Sequence, residues 1–338
     1  MKKYLIPSSG KFYKACLHTH SDVSDGVGSP EDLKKIYMDA GYSVVAFTDH
    51  EVIALHNDLS DENFLCITSF EKSINKPGAK DVSHRVAVHL NYFSTDKNND
   101  FFSGMSINAV WGNALKYVNE KLKDAKYGVD FNSDGFNKVI KAGNDEGFLV
   151  ALNHPVWSCI NAEDYINFKG LWGIEVFNTN CDREGYTDTV QPFDDLLRKG
   201  ERVFPLATDD AHIPADRFGG FVMIKADSLD YNAIIGAMKR GDFYASNGPE
   251  IQGIYLEDDI LHIKCSPAAA VTVTTERRWA AKVIDDGKPL TEVEVDLKNY
   301  FTGSDLEDTP APYFRITVRD KTGREAYSRA FFLDEIRD

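Results

Sequence analysis

The 338-residue chain is long enough to bury one large core and a smaller second one without covalent staples. Its 38 lysines and arginines against 53 aspartates and glutamates leave a formal charge of −15; such a surface repels nucleic-acid phosphates and anionic lipid, which argues against a long polynucleotide or a membrane as partner. No apolar run reaches the roughly 18 residues of a membrane span, and Met1-Lys2-Lys3 is followed by too short an apolar stretch for a signal peptide.

The five cysteines form no CxxC pair, and Cys16, Cys66 and Cys265 sit inside apolar runs where a reduced thiol packs as a small hydrophobe. A reducing cytoplasm is the expected location, a leader removed beforehand being the alternative. In chain order, residues 12–17 read as a short buried strand that ends in His18-Thr19-His20. Side chains alternate with period two along a strand, so the two imidazoles share one face and can share one metal ion. Residues 30–41 read as a helix, with Ser29 as N-cap, Pro30 in the first turn and Gly41 at the end.

The same arrangement then repeats. Strands over 42–50, 64–70, 85–88, 148–153 and 203–208 end at Thr48-Asp49-His50, Glu71, His89, His154-Pro155 and Asp209-Asp210-Ala211-His212, and a further strand covers 171–178. Helical patterns cover 107–125, 136–145, 190–199 and 231–239. Near-continuous apolar strands alternating with helices predict an α/β fold with a parallel, helix-covered sheet. Polar residues at the C-terminal ends of so many strands favour a barrel over an open sheet, because a (β/α) barrel gathers its site at that face. After Asn247-Gly248-Pro249 only short strand-like runs follow, with turn residues between them and no convincing helix, as in a small β-sandwich of about 85 residues. The expected organisation is therefore a barrel over 1–248 and an all-β sandwich domain over 249–338.

Six of the nine histidines, His18, His20, His50, His89, His154 and His212, stand at or near strand ends together with Asp25, Glu71 and Asp210. His56, His84 and His262 read as structural or solvated. Any one strand-end histidine is more simply a hydrogen-bonded core residue. Six imidazoles and three carboxylates at one barrel mouth without a cation would instead leave buried polar and like-charged groups unpaired, at about 1–3 kcal/mol each. Divalent ions remove that conflict, and a nitrogen and oxygen donor set without cysteine suits Zn²⁺, Mn²⁺ or Fe²⁺ better than Mg²⁺ or Ca²⁺. Nine ligands imply two to three ions.

The ordered set HxH, Asp25, Thr48-Asp49-His50, Glu71, His89, Asn153-His154-Pro155 and Asp210-Ala211-His212 resembles the PHP (polymerase and histidinol phosphatase) superfamily over roughly residues 10–245. The stretch 241–250 followed by a β-domain further resembles its CehA/McbA-like branch. The resemblance implies a distorted (β/α)7 barrel with a two- or three-metal centre. By motif, His18, His20, Glu71 and Asp210 would hold one ion, Glu71 would bridge to a second on His89 and His154, and Asp25, His50 and His212 would hold a third. Many members have histidine where this chain has Asp25. Asp210 makes the DxH spacing, which leaves Asp209, like Asp49, as a candidate support behind the ligands.

The expected activity is a metal-dependent phosphoesterase acting on a small-molecule phosphate ester, with a metal-bridging hydroxide as nucleophile. Glu71, Asp210 and His212 are the expected catalytic residues. Arg85 and Arg217 are candidates to clamp the phosphate, and Trp157 is a candidate pocket wall. The alternatives are a carboxylic or carbamic ester hydrolase on the same centre, and a metal-binding protein without catalysis.

Overall fold

A computed structural model describes residues 2–78, 86–301 and 311–336. Strand Lys11–Thr19 passes from exposed at Lys11 to fully buried from Ala15 onward. It pairs antiparallel with Phe221–Ala226 and parallel with Val44–Phe47, which pairs parallel with Leu65–Ile67. Helix Pro30–Asp39 forms as its punctuation requires. The Ser29 side chain accepts the Asp32 N–H, and Leu33 and Tyr37 are buried toward the sheet.

The expected closed barrel is not formed among the described residues. Leu65–Ile67 ends one sheet, and after Thr68 the chain opens another, in the order Ser69–Asn75, Ala87–Ser94, Phe148–Leu152, Gly173–Asn178 and Phe204–Thr208. The first two pairings of this sheet are antiparallel and the last two parallel. The reason lies in the connection: positions 76–86 between its first two strands are too few for a crossover, which needs about a dozen residues or more, so the chain must turn back. The two sheets face each other and meet through the isolated bridges Thr19↔Ala211 and His50↔Glu71.

Glu71 and His89 thus lie inside the strands of a hairpin rather than at the ends of parallel strands, with His89 opposite Ser73 and Asn91 opposite Glu71. A second correction concerns 107–125, whose spacing predicts one helix. The segment forms single 3₁₀ turns at Ile107–Ala109 and Gly112–Tyr117 and a short helix at Glu120–Lys123. Extended Trp111, Gly112 at φ +60° and extended Val118 break the helical run. The other helical readings hold as Ser133–Asp145, Gln191–Arg198 and Tyr231–Arg240, each burying an apolar face.

Beyond residue 249 the chain is mostly strands, but the sheets run across that position. Phe243–Ser246 pairs with Phe221–Ala226 on one side and with Glu325–Ser328 on the other, which extends the first sheet through Tyr313–Arg319 and Ala270–Thr275 to Ala280–Ile284. A separate four-stranded sheet joins Lys2–Tyr4 to Ile251–Glu257, Ile260–Ala268 and Leu290–Asp296. The two layers share one core, in which Ile254, Leu261, Ile263 and Val293 meet Val271, Val273, Ile316 and Val318. Short helices at Lys298–Phe301 and Leu333–Ile336 occupy a region expected to be helix-free. Asp194 of helix Gln191–Arg198 receives the buried Arg315 guanidinium through two bonds of 2.7 and 2.8 Å, which pins the α/β part to the β layers. No helix among the described residues is long and apolar enough to cross a membrane.

Candidate metal centre

All nine residues singled out as ligands come together where the two sheets meet. Lys11–Thr19 delivers His18 and leads to His20, whose Nε2 atoms lie 3.3 Å apart. Asp210 Oδ1 lies 3.1 Å from both. Glu71 is the hub of the cluster. Its Oε1 lies 3.1 Å from His89 Nδ1 and 3.5 Å from both His18 and His154, while its Oε2 lies 3.0 Å from His50 Nδ1 and 3.6 Å from His20. Asp25 sits further out, 3.8 Å from His50 Nε2, 3.6 Å from His212 Nε2 and 3.7 Å from His20 Nδ1. Three groups able to hold an ion follow from these positions: His18, Glu71 and His154; His18, His20 and Asp210; and His20, Asp25, His50 and His212. His89 joins through Glu71 alone.

Electrostatics set imidazoles against carboxylates throughout this cluster. Among the described residues, no lysine or arginine pairs with Glu71, Asp210 or Asp25, so the carboxylates are balanced by imidazoles only. Burial works against charging either partner. Even so, His89, His50 and His18 hold Glu71 well below the usual carboxylate range, and His18 does the same for Asp210. The imidazoles divide in turn. Burial and the neighbouring His212 and His50 push His20 down to about 4, whereas His154, buried but bonded to Glu71, is pushed up to about 9. His20 Nδ1 is buried without a hydrogen-bond partner. Imidazole nitrogens converging on shared carboxylate oxygens are the donor set a divalent cation would complete by displacing the protons that the carboxylates hold on His18, His154 and His212, and the residues fit a metal cluster.

Supporting groups set the direction of each ligand. Glu175 Oε1 takes the His18 Nδ1 at 2.7 Å, which turns Nε2 to the centre, and Glu175 Oε2 accepts the His154 backbone N–H at 2.8 Å and the Asn178 amide at 2.9 Å. The Asn153 amide donates to Glu71 Oε1 at 2.7 Å. Asp49 accepts from the backbone of Ser21 and Ser24 and from both their hydroxyls, which fixes the turn between His20 and Asp25. Asp209 does likewise for the far turn, accepting from Phe218, Gly219 and Gly220. Glu51 takes the Ser73 N–H at 2.7 Å and pairs with buried Lys72 at 3.5 Å. Glu51, His154 and Asp210 adopt left-handed backbone at φ +59°, +24° and +51°, strain of about 1–3 kcal/mol per residue that the surrounding bonds sustain.

Asp49 and Asp209 are therefore supports, as their positions beside ligands suggest. Sequence reasoning misses Glu175, although a carboxylate between Ile174 and Val176 in an apolar strand is a legible signal. Trp157 stands 5.0 Å from His154 and 5.6 Å from His89, ring to ring, and gives its indole N–H to Glu184. Trp111, also missed, stands 6.0 Å from His50 and is 51% exposed. Arg217 gives one donor, Nη2, to the Val27 carbonyl at 2.6 Å, steadying the loop that carries Asp25, while its Nε has no hydrogen-bond partner among the described residues. Arg85 lies outside the described residues.

No family model matches the chain, and no curated protein sequence matches it. Among solved structures, the chain is similar to a two-domain protein containing a predicted PHP-like metal-dependent phosphoesterase from Bacteroides vulgatus, at TM-score 0.44 and 15% identity over 97% of this chain and 98% of that one. It is similar also to a proposed metal-dependent phosphoesterase from Bifidobacterium adolescentis, at TM-score 0.40 and 18% identity over 70% of this chain and 98% of that one. A third is an amidohydrolase from Chromobacterium violaceum with bound sulfate and no metal, at TM-score 0.39 and 16% identity over 68% of this chain and 96% of that one.

Proposed function

We propose that this chain is a PHP-type metal-dependent phosphoesterase that hydrolyses a small-molecule phosphate ester. The observation that carries the reading is Glu71, whose two oxygens face separate sets of imidazoles at 3.0 to 3.6 Å. A carboxylate so placed joins two cation sites. Divalent ions bound there supply Lewis acidity toward the phosphoryl oxygens and an acidified water as nucleophile. The protein's part is to hold the donors fixed: Glu175 aims His18, Asp49 sets the His20 to Asp25 turn, and Asp210 joins His18 to His20. His212 and Asp25, each more than a quarter exposed, face the entering substrate. A formal charge of −15 suits a small molecule rather than a polynucleotide.

The carboxylic or carbamic ester reading is kept alive by the mouth itself. Trp111 and Trp157 flank the centre, and Arg217 is engaged by Val27, a setting that suits an apolar ester as well as a phosphate. Metal-loaded protein should be assayed on phosphate monoesters, phosphate diesters and carboxylic esters. Turnover of phosphate esters is expected. Turnover of carboxylic esters alone would transfer the site to the second reading, and no turnover with metal retained would sink both.

The outer group should lose its ion first. Asp25 and His212 are 28% and 27% exposed, and Asp25 stands 3.6 to 3.8 Å from His212, His20 and His50, against the 3.0 to 3.1 Å of the nearest contacts of Glu71 and Asp210. His20 turns Nε2 to Asp210 at 3.1 Å and Nδ1 to Asp25 at 3.7 Å, so it is shared between the inner and outer groups, and Asp25, His50 and His212 are the donors that belong to the outer group alone. Titration with a mild chelator is expected to remove one ion while the rate falls about tenfold, the range seen when metal surroundings are weakened. Simultaneous loss of every ion would refute this order.

A further inference from the structure

Outside the metal centre, the turn after Ala270–Thr275 and the short helix Lys298–Phe301 border an open cavity of 420 Å³ lined by Arg277, Arg278, Trp279, Asn299 and Tyr300. Its walls are built and held. The Trp279 and Tyr300 rings stack at 5.4 Å and 28°, and the Arg277 guanidinium lies 5.1 Å from the Tyr300 ring centre. Thr275 Oγ1 donates to the Trp279 carbonyl at 2.7 Å, and Tyr300 donates to Glu276 Oε2 at 2.7 Å, which also accepts the Tyr313 N–H at 3.2 Å.

The cations are left over. Arg277 Nε lies 3.2 Å from Glu276 Oε1 without alignment for a hydrogen bond, and neither its Nε nor its buried Nη2 has a hydrogen-bond partner among the described residues. Glu276 is the one acidic group in contact with the pair of arginines among the described residues, and its other oxygen is taken by Tyr300 and Tyr313. Two arginines set against the single carboxylate of Glu276, with a stacked indole beside them, together select for a planar or ring-faced ligand that carries an anion. The exposed Asn299 side chain offers a donor and an acceptor for a ring hydroxyl.

We propose that this cavity binds a small anionic ring compound, its carboxylate or phosphate on Arg277 and Arg278 and its ring face on Trp279. An acidic sugar and an aryl acid share that chemistry. The test is calorimetric titration of the full metal-loaded chain with glucuronate, benzoate, glucose and inorganic phosphate. Glucuronate or benzoate is expected to bind, the stronger of the two identifying the source, and glucose or phosphate at least tenfold more weakly. R277A and W279A should each weaken the binding at least tenfold, R277K and W279F less so, with metal content and hydrolytic rate unchanged in all four. Absence of binding by both ring anions, equal binding of glucose or of phosphate, or affinity unaltered in R277A and W279A would overturn the assignment.

Discussion

Glu71→Gln is expected to empty two ion positions together and to lower turnover about a thousandfold or more, while the chain stays folded. Loss of a group that merely orients a ligand costs about 10–100-fold in metal affinity or activity, and Glu71 stands closer to the chemistry than that. The amide keeps the shape of the carboxylate, and its oxygen can still accept the Asn153 N–H that Glu71 receives at 2.7 Å, so packing against the hairpin survives. What it loses is the charge. In that variant Asp210 and the outer Asp25 remain as anions facing the imidazoles, with Glu175 behind His18. Metal analysis and rate measured on the same preparation decide the matter. Normal metal content in the variant would show that Glu71 does not bridge, and one ion lost with near-normal turnover would place the reaction on a single ion.

Much of this centre is visible in the chain before it folds, because period-two alternation places His18 and His20 on one face and because Thr48-Asp49-His50 and Asp210-Ala211-His212 follow apolar runs. At Glu71 and His89 the pattern picks the right residues and the wrong geometry. Strand ends and mid-strand positions in a hairpin can occupy the same level, and the register that sets this, Ser73 opposite His89, depends on where a distant chain turns back. Closure of the barrel fails for a related reason: whether edge strands such as Leu65–Ile67 and Ser69–Asn75 bond to each other is a tertiary matter that apolar pattern does not encode. A single helix over 107–125 follows from apolar spacing, which does not register that Gly112 at φ +60° interrupts the run. That interruption places Trp111 beside His50, which no local pattern announces.

Asp209→Ala is expected to destabilise the protein by about 3–5 kcal/mol and to empty the metal centre, although Asp209 is not among the groups able to hold an ion. The carboxylate is fully buried. Its Oδ1 accepts from the N–H of Gly219 and Gly220 at 3.0 and 3.1 Å and from Thr179, and its Oδ2 from the Phe218 N–H at 2.8 Å and the Tyr37 hydroxyl at 3.1 Å. Truncation strands the three backbone N–H groups, while the Thr179 and Tyr37 hydroxyls can turn to the Thr208 carbonyl and to Thr19 Oγ1, and entering water can satisfy only part of the rest. Burial still pushes Asp209 up to about 6 despite these bonds, so part of their strength already offsets its desolvation and the net loss falls short of five full hydrogen bonds. Asp209→Asn separates shape from acceptor capacity. An amide presents one NH₂ group, and since both carboxylate oxygens face N–H or O–H donors, either orientation sets donor against donor. The asparagine variant should therefore lose nearly as much stability as the alanine one. Thermal unfolding of the metal-free variants reads the first effect, with a fall of roughly 5 °C expected for each. Metal content after reconstitution reads the second, because Asp210 at φ +51° depends on the turn that Asp209 anchors. A wild-type melting temperature in Asp209→Asn would mean that the carboxylate's second acceptor oxygen is dispensable, and full metal occupancy in Asp209→Ala would mean that Asp210 is held by its own strand alone.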